Sequence, residues 1–277
     1  MSSNTIPGKC NLADYASIHP PSVPNSNRHK EYEQWLPENP DLCFCPESRC
    51  AVFHWGLWME RGHESRGPVI IPDTNKVGAR VRAYQHDLFT SFRNISYLKR
   101  FLLSAIEKSQ RNAMQNTIQA LLPRYKEPWC KSDTECFSLS ACLVNLLTQP
   151  HVDCGDVEWA MISPFGNFTG AEFCIADIER GFAFQGGRIA GIRGRRLPHF
   201  TRKWVGSRIC LVSTMHRALM RHCTEMHDFG DSRSGNVCGA TGPGKLGQKR
   251  AKRRSPRVAK LRARIDLKGS RIDPLRN

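Results

Sequence analysis

From Phe137 onward the chain is written in short apolar or alternating runs: FSLSACLVNLL, EWAMIS, AEFCIADI, FAFQ, RIAGI and RICLVST. Gly, Pro, Asn or Asp interrupt them at intervals of roughly 8–12 residues, too soon for any run to become a long helix. Runs of this length bury one face of a strand, and their close spacing favours tight reversals. The pattern predicts an antiparallel sandwich or barrel.

Upstream the period changes. Over residues 94–122, Leu98, Leu102 and Ala105, then Met114, Ile118 and Leu121, recur at helical spacing. Asn94 is placed to cap the start and Pro123 lies just past the end. The polar residues 107–112 predict a break into two helices. Helices followed by strands predict an α+β fold in which the helices buttress one face of a β-core. The helical support is expected over about 87–125 and the β-core over about 135–217.

Residues 1–40 are rich in Pro, Ser and Asn and read as an extended arm, with Tyr32 and Trp35 as aromatic anchors. Residues 41–60, DLCFCPESRCAVFHWGLWME, are dense in Trp, Phe and Cys and must pack, so the folded domain is expected over 41–227. Residues 228–244 read as a linker into a disordered tail that ends at residue 277. The formal charge is +16, and the stretch from Lys245 onward holds +11 of it, leaving about +5 for the rest. One basic segment thus accounts for the charge excess.

No apolar run approaches the roughly 18–20 residues of a membrane span. The N-terminus, MSSNTIPGKCNLADYASIHPP, lacks the basic start and apolar stretch of a secretory signal. A protein that is not secreted is expected, nuclear or otherwise cytoplasmic. Most of the 12 cysteines sit singly, as do Cys142, Cys174 and Cys210 inside apolar runs, and are expected as reduced core thiols.

The residues that point to chemistry begin at His151-Val152-Asp153. On an extended backbone, residues i and i+2 project to one side, so imidazole and carboxylate converge as two ligands of a divalent metal must. Alone the motif says little: His29-Lys30-Glu31 has a similar form and sits in the arm. Downstream comes His199, in RGRRLPHFTRKWVGSR, and after a Trp-Val-Gly-Ser turn comes Arg208 at the head of the run ICLVST. Two His and one carboxylate with open positions form the facial triad of non-haem Fe(II) oxygenases. An Arg on the next strand can clamp a carboxylate bidentately. A hairpin over residues 203–208 sets His199 and Arg208 roughly 13 Å apart, a gap that a five-carbon diacid and two side chains can bridge. His216, in STMH, is the alternative third ligand. The alternative for Arg208 is a structural ion pair with Asp177 or Glu172.

Over about residues 135–217 the sequence resembles the 2-oxoglutarate- and Fe(II)-dependent dioxygenases, in particular the TET/JBP-like branch of fungal type. The resemblance lies in the Asn145 strand leading into PHVD, in EWAMISPFGNFTGAEFCI, and in GRIAGIRGRRLPHF followed by WVGSR. It implies a double-stranded β-helix, or jelly-roll, in which His151, Asp153 and His199 hold iron and Arg208 binds the distal carboxylate of 2-oxoglutarate. Dioxygen is then the second co-substrate. The resemblance further implies that the substrate is the methyl group of a pyrimidine, 5-methylcytosine or thymine, extruded from the duplex. Two positions depart from the family's pattern: Arg188 stands where an acid is common, and Phe200 follows the distal His.

The segment QKRAKRRSPRVAKLRARIDLKGSR suits a nucleic-acid partner through phosphate neutralisation, and KRAKRR equally resembles a nuclear import signal. Ser255-Pro256 is a candidate phosphorylation site. A zinc site at Cys43, Cys45, Cys50 and His54 has an awkward one-residue gap. His216, His222, Cys223 and His227 also cluster, but on a helix His216, His222 and His227 would spread over different faces. The competing functions are a 2-oxoglutarate hydroxylase of a protein or small molecule and an inactive nucleic-acid-binding relative.

Overall fold

The computed structural model describes residues 51–60, 67–75, 79–127, 129, 135–148 and 150–231, with backbone only for Ala51, 79–84 and 226–231. The arm, the tail, Cys43, Cys45 and Cys50 lie outside the described residues. The chain divides into two units, Met1–Thr224 and Glu225–Asn277. All of the described strands belong to the first.

Eleven strands are described, and every pairing among them is antiparallel. The large sheet is built from β1 (Ala51–Trp58), β2 (Val69–Ile70), β3 (Leu139–Val144), β4 (Ala160–Phe165), β8 (Ala190–Ile192) and β11 (Ile209–Thr214), in the order β2-β1-β3-β11-β4-β8. A three-stranded sheet joins β6 (Phe173–Ile175), β7 (Arg180–Phe182) and β9 (His199–Thr201) in the order β7-β6-β9. The last pair is β5 (Phe168–Gly170) with β10 (Trp204–Gly206).

Strand alternation divides the large sheet into two apolar faces. Ala160, Ile162, Ile192 and Cys210 pack against Phe173 and Phe184, which closes the space between the large and three-stranded sheets. On the opposite face Phe53, Trp55, Cys142, Val144 and Leu211 meet Leu88, Phe89, Phe92 and Ile95 of helix α1 (Ala79–Ile106). Glu107 breaks the helix as expected, at φ −153 and ψ 81, before α2 (Lys108–Ala120). Pro123 does more than end it: it opens the short α3 (Pro123–Lys126), where a missing N–H costs nothing. Met114, Ile118 and Leu121 are buried with Leu219 and Cys223 of α4 (Arg217–Asp231).

Three sequence expectations change. Asn94 lies inside α1 and is no N-cap, because the stripe facing the sheet starts earlier, at Leu88. Leu98 is half exposed and Ala105 exposed; the buried stripe instead runs Leu88, Phe92, Ile95, Lys99 and Leu103. Lys99 is tolerated there because its Nζ donates to the Leu211 carbonyl at 2.7 Å and lies 3.0 Å from Ser213 Oγ. Burial pulls its pKa down to about 7. In FAFQ only Phe182 belongs to a strand, while Phe184 reaches the core from a loop.

β1 was not legible as a strand. Both its faces are covered, so Val52, Phe53, Trp55 and Leu57 are all buried and no alternation shows. It passes so close to β3 at Gly56 that a Cβ there would stand 2.0 Å from the Ser138 carbonyl oxygen, and its φ of +116 also favours glycine.

Candidate metal and anion site

His151 and His199 exchange backbone hydrogen bonds, His151 N to His199 O at 3.1 Å and His199 N to His151 O at 3.0 Å. The Asp153 N–H donates to the Gly194 carbonyl at 3.0 Å. These bonds pin His151 against β9 and Asp153 against the turn that precedes it, and the two side chains approach each other. His151 Nε2 lies 3.7 Å from Asp153 Oδ1, and His199 Nε2 lies 3.5 Å from Asp153 Oδ2. One ligand atom from each of the three residues falls within 4.8 Å of the others.

His199 Nδ1 lies 2.9 Å from the Leu197 carbonyl. A carbonyl only accepts, so Nδ1 carries a proton, and in the neutral ring the Nε2 lone pair is the one that faces Asp153. At 3.5 Å or more, these are not hydrogen bonds. Three ligand atoms converging at this spacing could hold a metal ion. The backbone leaves room for this: a Cβ on Gly194 would stand 3.2 Å from both Asp153 Oδ2 and His199 Cε1.

Arg208 precedes β11. Its N–H donates to Asn145 Oδ1 at 2.8 Å, and its carbonyl accepts from Asn145 N at 2.8 Å. The guanidinium lies 5.7 Å from the ring of Phe168 and 5.4 Å from that of Trp204. It is 3% exposed, and its Nε has no acceptor among the described residues. Burying a cation without an anion is costly, and flanking aromatics offset only part of that cost. A cavity of about 300 Å³ is lined by His151, Asp153, His199 and Arg208 together. Its donors match what a metal-chelating diacid needs: a cation site, and a cation held in reserve.

The alternatives resolve by geometry. Glu172 pairs with Arg202 at 2.7 Å, and Asp177 is exposed in a 3-10 turn, so neither neutralises Arg208. Trp204–Gly206 is no hairpin turn but strand β10, which pairs with β5 so that Phe168 and Trp204 can wall the guanidinium. His216 lines the cavity but stands 3.6 Å from Asp156 Oδ1, outside the three-residue cluster. Asp156 carried no signal in the sequence. Burial, then the charge of Asp153, pushes its pKa up to about 7. His54 lines the same cavity from β1. Cys223 is a buried core thiol, as are Cys142, Cys174 and Cys210. Arg188 reaches the Ala183 carbonyl and Gln185 Oε1 of its own turn. Phe200 pairs with Cys174 and, by alternation, turns away from the side of His199.

No protein-family model matches the chain, and no curated protein matches it. Among solved structures it is similar to NgTET1 in complex with 5mC DNA, at 14% identity and a TM-score of 0.48, over 73% of this chain and 74% of that one. It is also similar to an oxidoreductase of the 2OG-Fe(II) oxygenase family from Burkholderia pseudomallei, at 13% identity and a TM-score of 0.33, over 69% of this chain and 90% of that one. At this distance neither likeness bears on activity.

Proposed function

We propose that the protein is an Fe(II)- and 2-oxoglutarate-dependent dioxygenase that hydroxylates a substrate C–H, the methyl group of a modified pyrimidine in DNA or RNA. One observation carries the reading. A His-Asp-His cluster and a buried arginine whose Nε lacks an acceptor among the described residues line a single cavity. In this reading the large and the three-stranded sheets belong to the two halves of a double-stranded β-helix within a domain over residues 41–227. The arm and the basic tail flank that domain, and the tail serves nucleic-acid binding or nuclear import.

His151, Asp153 and His199 would hold the iron, and Arg208 the far carboxylate of 2-oxoglutarate. When bound, iron and co-substrate supply the oxidising power of O2: one oxygen atom enters succinate as CO2 leaves, and the other enters the substrate C–H. The chain supplies position. The Leu197 carbonyl fixes the tautomer and plane of His199. Asn145 clamps the backbone on both sides of Arg208, while Phe168 and Trp204 keep water from its guanidinium. Val212, Ile162 and Phe173 give the cavity an apolar wall suited to a methyl group.

The test incubates the full chain with Fe(II), 2-oxoglutarate and methylated oligonucleotides, and reads succinate and nucleosides by mass spectrometry. Hydroxylated pyrimidine with matching succinate is expected. Succinate without altered nucleosides moves the substrate to a protein or small molecule. No succinate under any condition identifies an inactive relative and refutes the enzyme.

A further inference from the structure

Immediately before β9 the chain makes a tight turn, with Arg196 N donating to the Arg193 carbonyl at 2.8 Å and Leu197 N to the same oxygen at 2.9 Å. The turn presents Arg193, Arg195 and Arg196, and all three converge on Glu158. Arg195 Nη1 is 3.0 Å from Glu158 Oε1, Arg196 Nε 2.5 Å from Oε2, and Arg193 Nε 3.4 Å from Oε2. The guanidinium of Arg196, before those of Arg193 and Arg195, holds the Glu158 carboxyl below its usual range.

One carboxylate cannot satisfy this group. Three guanidiniums bring roughly fifteen N–H donors against about four acceptor positions, and two positive charges are left over. No second acid pairs with them among the described residues, and their side chains are 41%, 32% and 59% exposed. The Arg193 guanidinium also lies 5.5 Å from the Trp159 ring. Gln110 holds Trp159 on both sides, donating to its carbonyl at 3.0 Å and accepting from its N–H at 3.1 Å. Glu158 thus acts as a spacer that orients three cations, so less side-chain freedom is lost when an anion arrives.

The position of the turn matters as much as its charge. Gly194, between Arg193 and Arg195, is the residue whose backbone abuts Asp153 and His199. The cations therefore flank the metal cluster and lie outside the lining of the cavity. An anion held there belongs to the part of a substrate that continues beyond the reacting group. A nucleic-acid backbone meets that need, with a phosphate on either side of every base and a geometry that guanidinium forks match bidentately.

Resting on the dioxygenase reading, we infer that residues 193–196 grip the phosphodiester backbone on either side of the base that enters the cavity. Arg193, Arg195 and Arg196 are the contacts, and Glu158 is a positioning residue.

The experiment uses the full chain and its Arg195→Gln/Arg196→Gln variant, with labelled methylated oligonucleotides titrated across a salt series. Equal circular dichroism and equal iron content establish that the variant is folded. The expected result is severalfold weaker binding and a salt slope shallower by about one for each phosphate no longer neutralised. The Arg195→Lys/Arg196→Lys variant should recover the slope but only part of the affinity, because charge returns without the fork. DNA and RNA oligonucleotides run in parallel identify the backbone preferred. An unchanged affinity and slope in the Gln variant overturns the inference. Absence of iron- and 2-oxoglutarate-dependent succinate from the wild type is a separate outcome that removes the reading beneath it.

Discussion

Replacing Arg208 with Met should leave the free protein as stable as before, or more so, while abolishing its response to co-substrate. The side chain is 3% exposed and its Nε has no acceptor among the described residues. Desolvating an unpaired cation costs several kcal/mol. Against that stand two aromatic rings at 5.4 and 5.7 Å, each worth up to about 2 kcal/mol when desolvated. The terms nearly cancel, and Met fills much of the same volume, so the change without ligand should stay within about 2 kcal/mol. With ligand the balance differs. A compound present at a hundred times its Kd stabilises the native state by about 2.7 kcal/mol. For a domain of this size that is a rise of roughly 5–10 °C in Tm. The assay is thermal unfolding under argon with Mn(II) in place of iron, with and without 2-oxoglutarate. Wild type should show the rise and Arg208→Met should not. A variant that keeps the full shift, or one that melts more than about 10 °C lower without ligand, would refute the assignment.

Other expectations arise from the same site and its surroundings. His151→Ala or Asp153→Ala should abolish succinate formation while circular dichroism and melting stay near wild type, since both groups are only partly buried at the rim of the cavity. Gly194→Ala pushes a methyl to 3.2 Å from Asp153 Oδ2 and His199 Cε1, and should weaken Mn(II) affinity by about 10–100-fold in a calorimetric titration without unfolding the protein. The stability of wild type relative to Lys99→Met should rise with pH. The folded-state pKa of Lys99 is lowered to about 7 by burial, so above pH 7 the unfolded chain holds the extra proton and proton loss favours folding. Between pH 7 and 8.5 the gain is about 1–2 kcal/mol in urea unfolding. The difference between the two proteins isolates Lys99 from Cys136 and Cys142, whose thiols, raised by burial, act in the opposite sense at higher pH.

Local chemistry was readable in the sequence where one residue type and its neighbours suffice. The i, i+2 spacing of His151 and Asp153 put both side chains on one side of an extended segment, and the structure finds them 3.7 Å apart. The break at Glu107 and the burial of Met114 and Ile118 likewise follow from local periodicity. Apolar runs as short as those beyond Cys136 announced antiparallel strands, because nothing longer fits between their turns.

Partnership across the chain was beyond its reach. Residues 204–206 read as a turn because Gly206 and Ser207 favour one, yet pairing with Phe168–Gly170 makes them a strand. The first strand hid because covering both of its faces erases alternation. Leu98 is an ordinary core residue by type, but the sheet selects the stripe one residue away and accepts Lys99 into it, since two oxygens of β11 accept from its Nζ. The convergence of three arginines on Glu158 is equally a product of the fold, as 35 or more residues separate them from that carboxylate along the chain. A sequence specifies what each side chain can do and which way its immediate backbone turns it. Which groups meet depends on closing long loops around a shared core, and that free energy belongs to the whole chain.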